Sequence, residues 1–255
     1  MQRIALDIQP ALTELENDIM LDSALFERVK YVYEHPGRGL SKEDERLLEN
    51  TYKSFARNGA ALSSEDKERY REYTSEEASL TLIFGQNALA ATNAFTLNIT
   101  DPATVAELPG FLRESLAAEA RARGQKGWTV TLQAPSYAPF MTYSSNRALK
   151  EKLWRAYNSR ALGGEYDNTQ IAKRIAELRL RIANLLGYET YADYVLEDRM
   201  AENVPTVEAF LGELLDETKE YAVKDYETVS AYAATLGFAG RLMPWDWNFY
   251  SEKYK

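Results

Sequence analysis

Two short stretches of this chain alternate apolar and polar side chains, Phe95–Ile99 and Trp128–Gln133, whereas the other periodic stretches repeat at steps of three and four. Alternation at period two marks a strand, and steps of three and four mark a helix. Two isolated strands are marginal in water, so these two are expected to pair with each other. The reading is a mainly α, multi-helix domain with one small antiparallel two-stranded β element, about 95–99 and 128–133. A helix over 109–123 crosses between the strands.

The helices follow from punctuation. Residues 3–19 read as the first, with Pro10 at a kink or in the first turn. Asp22 or Ser23 caps a second that runs to about Glu34, and His35–Gly39 is a loop. Ser41 with Asp44 three residues on is a capping box, aspartate standing in for the usual Glu or Gln. That helix carries Leu47, Leu48, Thr51, Tyr52 and Phe55 and stops at Asn58-Gly59. Ser63 or Ser64 starts a long helix through Tyr70, Tyr73, Leu80, Ile83, Phe84 and Ala88. Asp101-Pro102 ends the first strand, and Pro109 opens the crossing helix, which ends at Gly124. After the second strand, Pro135 and Pro139 predict a double-proline corner, with a helix beginning near Ser144 or Ser145. Its apolar side holds Leu149, Leu153, Ala156 and Tyr157. Asn168 or Thr169 starts a helix whose core stripe is Ile171, Ile175, Leu178, Ile182, Leu185 and Leu186, with Gly187 just past its end. A short helix covers Tyr191 to Met200. Pro205-Thr206 opens a long one on which Val207, Leu211, Leu214, Tyr221, Val229 and Leu236 share a face before Gly237.

Composition excludes several function classes. Thirty basic against thirty-nine acidic residues give a net charge of −9. Nucleic acid is therefore not a partner, because backbone-phosphate binding needs clustered Lys and Arg. There are no cysteines, so disulfides, thiolate metal sites and cysteine nucleophiles are excluded. No apolar run approaches the roughly 18 residues of a membrane span. Met1-Gln-Arg-Ile-Ala-Leu-Asp enters an amphipathic pattern directly, without the apolar core of a signal peptide.

The remaining chemistry is thin. His35 is the single histidine, and it reads as an exposed loop residue. An H-E-x-x-H zinc site needs two histidines on one helical face, so none is possible here. Gly37-Arg-Gly39 lacks the third glycine of a dinucleotide loop, and Gly124-Gln-Lys-Gly127 lacks P-loop spacing. Ser64-Glu-Asp-Lys67 fits S-x-x-K, yet at a polar helix start it reads as a cap. Asn98-Ile-Thr100 is a glycosylation sequon. Glu197-Asp198 and Asp216-Glu217 read as solvated helix faces. The seventeen tyrosines, such as Tyr52, Tyr157, Tyr191 and Tyr221, read as core or rim. No catalytic, cofactor-binding or metal-ligating residue is nominated.

Several longer segments resemble a known family. Residues 128–143 read W-x-V-T-L-x-A-P-S-Y-x-P-x-M-x-Y, and residues 146–157 read N-R-A-L-x-x-x-L-x-R-A-Y. With Leu25-Phe-x-Arg-Val-Lys30, Asn87-x-Leu-Ala-Ala-Thr-Asn-Ala-Phe95, Leu185-Leu-Gly-Tyr-x-x-Tyr-Ala192 and Pro244-Trp-Asp-Trp-x-Phe-Tyr-Ser-Glu252, they resemble the thimet-oligopeptidase-like zinc metallopeptidases. That family includes oligopeptidase A, neurolysin and peptidyl-dipeptidase (dipeptidyl carboxypeptidase), and the motifs lean toward the last. The resemblance implies a mainly helical channel enzyme, much longer than this chain, that hydrolyses short peptides. Its zinc sits in H-E-x-x-H plus a downstream glutamate, in a C-terminal catalytic half. By this resemblance residues 1–255 are one helical unit, the N-terminal scaffold portion of such an enzyme, truncated at both ends. Zinc and peptide substrates belong to the parent, and none of the family's metal or catalytic residues maps onto this chain.

The last eleven residues bear on the same question. Trp245, Trp247, Phe249 and Tyr250 crowd into them with no helix-ending signal, so the tail reads as cut, or as a docking segment for a partner. The alternatives are a stand-alone helical interaction module docking through these aromatics, and a terminal helix packed on its own domain. Burying a large apolar side chain is worth about 1.5–3 kcal/mol. Four unpartnered aromatics would therefore favour self-association.

Overall fold

Helices begin where short polar side chains can accept the free N–H groups of a first turn. The computed structural model describes residues 2–37 and 39–255. Met1, which opens the amphipathic reading, and Arg38, within the expected His35–Gly39 loop and the Gly37-Arg-Gly39 pattern, lie outside the described residues. α1 spans Gln2–Met20 and α2 Ser23–Glu34. The Asp22 carboxylate accepts from the N–H groups of Ala24 (2.7 Å) and Leu25 (3.0 Å). Those bonds, Leu25's foremost, hold its carboxyl below the usual range. α3 spans Lys42–Arg57, and the Ser41–Asp44 capping box is formed, each side chain accepting from the other's backbone N–H at 3.1 Å. α4 spans Ser64–Ala94, and the Ser63 hydroxyl accepts from the Asp66 N–H at 3.1 Å.

There follow β1 (Thr96–Ile99), α5 (Pro102–Val105), α6 (Gly110–Ala122), β2 (Trp128–Thr131), α7 (Ala134–Tyr143), α8 (Arg147–Asn158), α9 (Thr169–Leu185), α10 (Tyr191–Leu196), α11 (Val204–Thr235) and α12 (Pro244–Tyr254). The described residues group into two units. One holds the chain up to Gln86 together with Thr169–Glu208, and the other holds Asn87–Asn168 together with Ala209–Lys255.

In the second unit the strands pair antiparallel, with Leu97 opposite Val130 and Ile99 opposite Trp128. Gly127 makes this possible. Its φ is +85°, and a Cβ there would lie 2.2 Å from the Ile99 carbonyl oxygen, so only glycine fits. α6 packs on β2. Leu112 and Leu116 from α6 join Leu97, Val130, Phe140, Met141, Leu153 and Trp245 in one core.

The double-proline corner is a helix. Pro135 sits in the first turn of α7, where no N–H is needed, and the helix tolerates Pro139 even though that residue cannot donate to the Pro135 carbonyl. Burial of Phe140 and Met141 accompanies it. α8 is capped by Asn146, whose side chain accepts from the Leu149 N–H at 3.1 Å, rather than by Ser144 or Ser145. Ser144 is buried, and Ser145 is bonded to Glu107 through its N–H (2.6 Å) and hydroxyl (2.8 Å).

The aromatic tail follows the reading of a terminal helix packed on its own domain. α12 packs on α7 and α8 within its own unit, with Trp245 and Phe249 buried. These two rings are core, and the segment is not an outward docking element. The apolar face expected along α11 is corrected. Val229 and Ala233 are buried, but Leu211, Leu214, Tyr221 and Leu236 are exposed.

In the first unit, Ile175, Leu178 and Ile182 of α9 are buried, as their spacing requires. α9 ends in a Schellman turn: Gly187 has a φ of +87°, and the Tyr188 N–H donates to the Ala183 carbonyl at 3.0 Å. Leu21, Tyr70 and Ile182 make one small core, and Phe26, Phe55 and Ala60 another. α10 stops at Leu196, short of the expected Met200. The Tyr194 carbonyl, which a longer helix would use, accepts from Arg57 instead at 2.5 Å.

Candidate functional site

Arg46, Asn50, Lys53, Ser54 and Arg57 recur at helical spacing and share one face of α3. They line a polar cleft of the first unit, opposite residues of α10 and its flanking turns. The cleft has two hollows of about 300 and 660 Å³ that share Lys53, Arg57 and Asp198. The smaller is completed by Tyr52, Ala56, Leu186, Tyr188 and Glu197, the larger by Tyr191, Tyr194, Val195 and Arg199 among others.

Arg57 is the centre. Its guanidinium lies 4.8 Å from the Tyr194 ring centroid and 5.9 Å from that of Tyr188. It donates to the Tyr188 hydroxyl at 3.3 Å and pairs with Glu197, which also accepts from the Tyr188 hydroxyl. Burial first, then the bond to Glu197, pushes the Tyr188 hydroxyl up to about 12. Glu197 is thus engaged in an ion pair rather than simply solvated, which corrects one half of the Glu197-Asp198 reading. Lys53 and Arg46 are both bonded to Glu49, at 2.6 and 2.9 Å, and hold its carboxyl below the usual range. Cations, the Glu197 and Asp198 carboxylates and tyrosine rings thus line the cleft together.

A second constellation, around the buried Asp246 and Lys150, lies in the other unit. Asp246 accepts from Arg147 Nε at 3.0 Å and Nη2 at 3.1 Å, and from the Met243 N–H at 2.9 Å. Lys150 is 1% exposed, with Nζ 4.3 Å from the Phe249 ring centroid. Burial pushes its ammonium down to about 8, against the opposing pull of Asp246 and Glu107. This cluster fixes α12 to α8. The sequence reading missed it, although Asp246 three residues past Met243 and just beyond Pro244 has helix-start spacing.

The other residues singled out in the sequence have local roles. His35 caps α2, its ring 4.6 Å from that of Tyr31 and its Nδ1 3.1 Å from the Tyr31 carbonyl. Lys67 donates to the Leu21 carbonyl (2.9 Å) and the Ser23 hydroxyl (2.6 Å). The Asn98 amide donates to the Lys126 carbonyl and the Thr129 hydroxyl, both at 3.0 Å. Asp216 and Glu217 are exposed. Among the described residues no three His, Cys, Asp or Glu side chains converge as metal ligands. With a single histidine, the donor set does not fit the zinc centre that the family resemblance implies. No helix of the described residues is long and apolar enough to cross a membrane.

Residues 140–255 match Peptidase family M3. The chain is 36% identical to an oligopeptidase A of Haemophilus influenzae over 215 residues, which are 82% of this chain and 32% of that protein. It is 33% identical to a probable cytosolic oligopeptidase A of Arabidopsis thaliana over 98% of this chain and 37% of that protein. It is 31% identical to a dipeptidyl carboxypeptidase of Escherichia coli over 100% of this chain and 38% of that protein. Identity is higher with the oligopeptidases and coverage fuller with the dipeptidyl carboxypeptidase, so the lean of the motifs toward peptidyl-dipeptidase is not reproduced. The chain spans about a third of the length of the curated relatives it matches. These similarities, which run in order along nearly the whole sequence, show that the chain belongs to peptidase family M3.

Proposed function

We propose that this chain is the non-catalytic scaffold portion of a zinc-dependent oligopeptidase that cuts short peptides. One observation carries the reading: similarity to oligopeptidase A over most of the chain coincides with a donor set holding a single histidine. The hydrolytic chemistry would be zinc-activated water attacking a peptide carbonyl, on residues that a catalytic portion supplies. This chain's contribution is shape, one wall of a channel that admits extended peptides and excludes folded proteins. The Arg57 cleft, with binding groups and no reacting ones, is consistent with that division.

The test is hydrolysis of short fluorogenic peptides by the purified chain, with zinc added, beside a full-length oligopeptidase A as control. The expected result is no turnover above the peptide blank and no stoichiometric zinc after dialysis. Zinc-dependent cleavage that co-purifies with the chain overturns the proposal.

A further inference from the structure

The cleft beside α3 is built on a polar ladder. Asn50, Ser54 and Asn58 stand four residues apart and line its larger hollow, of about 660 Å³. A helix rises about 1.5 Å per residue, so these rungs recur at roughly 6 Å. An extended peptide turns its backbone groups to one side at every second residue, about 6.6 Å apart. Adjacent rungs therefore match one repeat of such a peptide. They also offer both kinds of bond that a peptide backbone needs, since amides and hydroxyls each donate and accept. Asn58 gives one donor to the Ser54 carbonyl at 2.8 Å, whereas the Asn50 and Ser54 side chains make no hydrogen bond among the described residues. Across from α3, Tyr191 and Tyr194, with ring centroids 5.8 Å apart, and Val195 supply an apolar side.

The charges narrow the ligand further. Arg46 and Lys53 are answered by Glu49, and Arg57 by Glu197. Asp198 and Arg199, just past α10, also line the larger hollow. Both are exposed, and neither has an ion pair among the described residues. A lone anion entering the hollow would meet Asp198, and a lone cation would meet Arg199. A zwitterion answers both, its ammonium on Asp198 and its carboxylate on Arg199. We propose that the larger hollow binds a short peptide with free termini, its backbone extended along Asn50 and Ser54 and its charged ends held by Asp198 and Arg199. The choice of a peptide rests on the oligopeptidase reading, while the place and polarity of the site rest on the cleft alone.

The test is calorimetric titration of the full chain with trialanine, beside the same peptide N-acetylated and C-amidated. Saturable binding of the free peptide is expected, and blocking both ends should weaken it by about 10-fold or more. Asp198→Asn and Arg199→Gln should each weaken free trialanine by a similar factor, and neither should change binding of the blocked form. Asn50→Ala should weaken both forms alike, because it removes a backbone contact. All three positions are exposed, so helical circular dichroism should be unchanged. Asp216→Asn, on exposed α11, should leave binding intact. Absence of binding up to about 10 mM peptide overturns the proposal. So does equal binding of the blocked peptide, or binding that Asp198→Asn and Arg199→Gln leave untouched. The readout is binding and not turnover, so any of these results leaves the scaffold reading to its own hydrolysis test.

Discussion

The two units bury their apolar side chains differently. In the unit with the sheet, twelve buried residues form one large cluster, beside a small one of Val229, Ala233 and Leu242. In the other, two clusters of three buried residues each do the same work. That unit adds more inter-helix ion pairs, Arg174 to Glu76 (2.6 Å), Arg179 to Glu77 (2.9 Å), and Arg71 to Glu14 and Asp18, where the sheet unit has Arg147 to Asp246 (3.0 Å). One large core makes stability a matter of packing. Small cores laced with half-exposed charges make it depend on salt and acid. The difference was not legible in composition, because both units draw on the same apolar residue types.

The largest effect that would break this comparison comes from cavities. Phe140→Ala, in the large core, should destabilise by about 3–5 kcal/mol, and Ile182→Ala near the lower end of about 2–5 kcal/mol. Urea unfolding of each variant checks the ranking, and a reversal would mean the small clusters are as demanding as the large one.

pH sharpens the contrast, since the units respond at opposite ends of the scale. Burial lowers Lys150 to about 8 in the folded chain, whereas an unfolded lysine stays near 10.4. Between about pH 8 and 10 the unfolded state therefore holds more protons, and stability rises with pH. Below about pH 8 the penalty is present in full. Lys150→Met should abolish the slope in thermal melts across that window. Glu76 is the opposite case: hydrogen bonds from Arg174 depress its carboxyl. Its contribution is present above the ordinary carboxylate range and lost as pH falls through the depressed value. Glu76→Gln should flatten the acid limb of the melting curve and leave the alkaline limb alone.

The smallest effect is the most specific. Glu77→Gln breaks one partly exposed pair and should cost about 0.2–1 kcal/mol at low salt, shrinking toward zero in concentrated sodium chloride. A cost that ignores salt would assign Glu77 a packing role instead.

Much of the fold was legible locally. Asp22, the Ser41–Asp44 box and Gly187 act through bonds spanning a few residues, so their spacing carried the signal. The strand pairing was legible because only two stretches alternate. Features joining distant residues were not. Arg57 meets Glu197, and Arg147 meets Asp246, across long stretches of sequence, and nothing near either arginine marks its partner. α7 is hidden because proline usually marks a helix break, although Pro135 occupies the one turn that tolerates it. The aromatic tail stays ambiguous in sequence for a related reason: a crowd of rings says that a surface will be buried, and not by what. That the chain cannot form an H-E-x-x-H motif needs only a count of histidines.

Trp245 and Phe249 close the core around α12 only after the polypeptide has travelled out through the segment 169–208 and returned. A ribosome making this chain at about 5–20 residues per second thus holds the strand pair and α6–α8 for some seconds with their last wall missing. The first unit waits in the same way for α9. The first unit has all its residues once Glu208 is made, while the second still lacks Ala209–Lys255, so the unit with the large core is the last to close and stays open to chaperones longest.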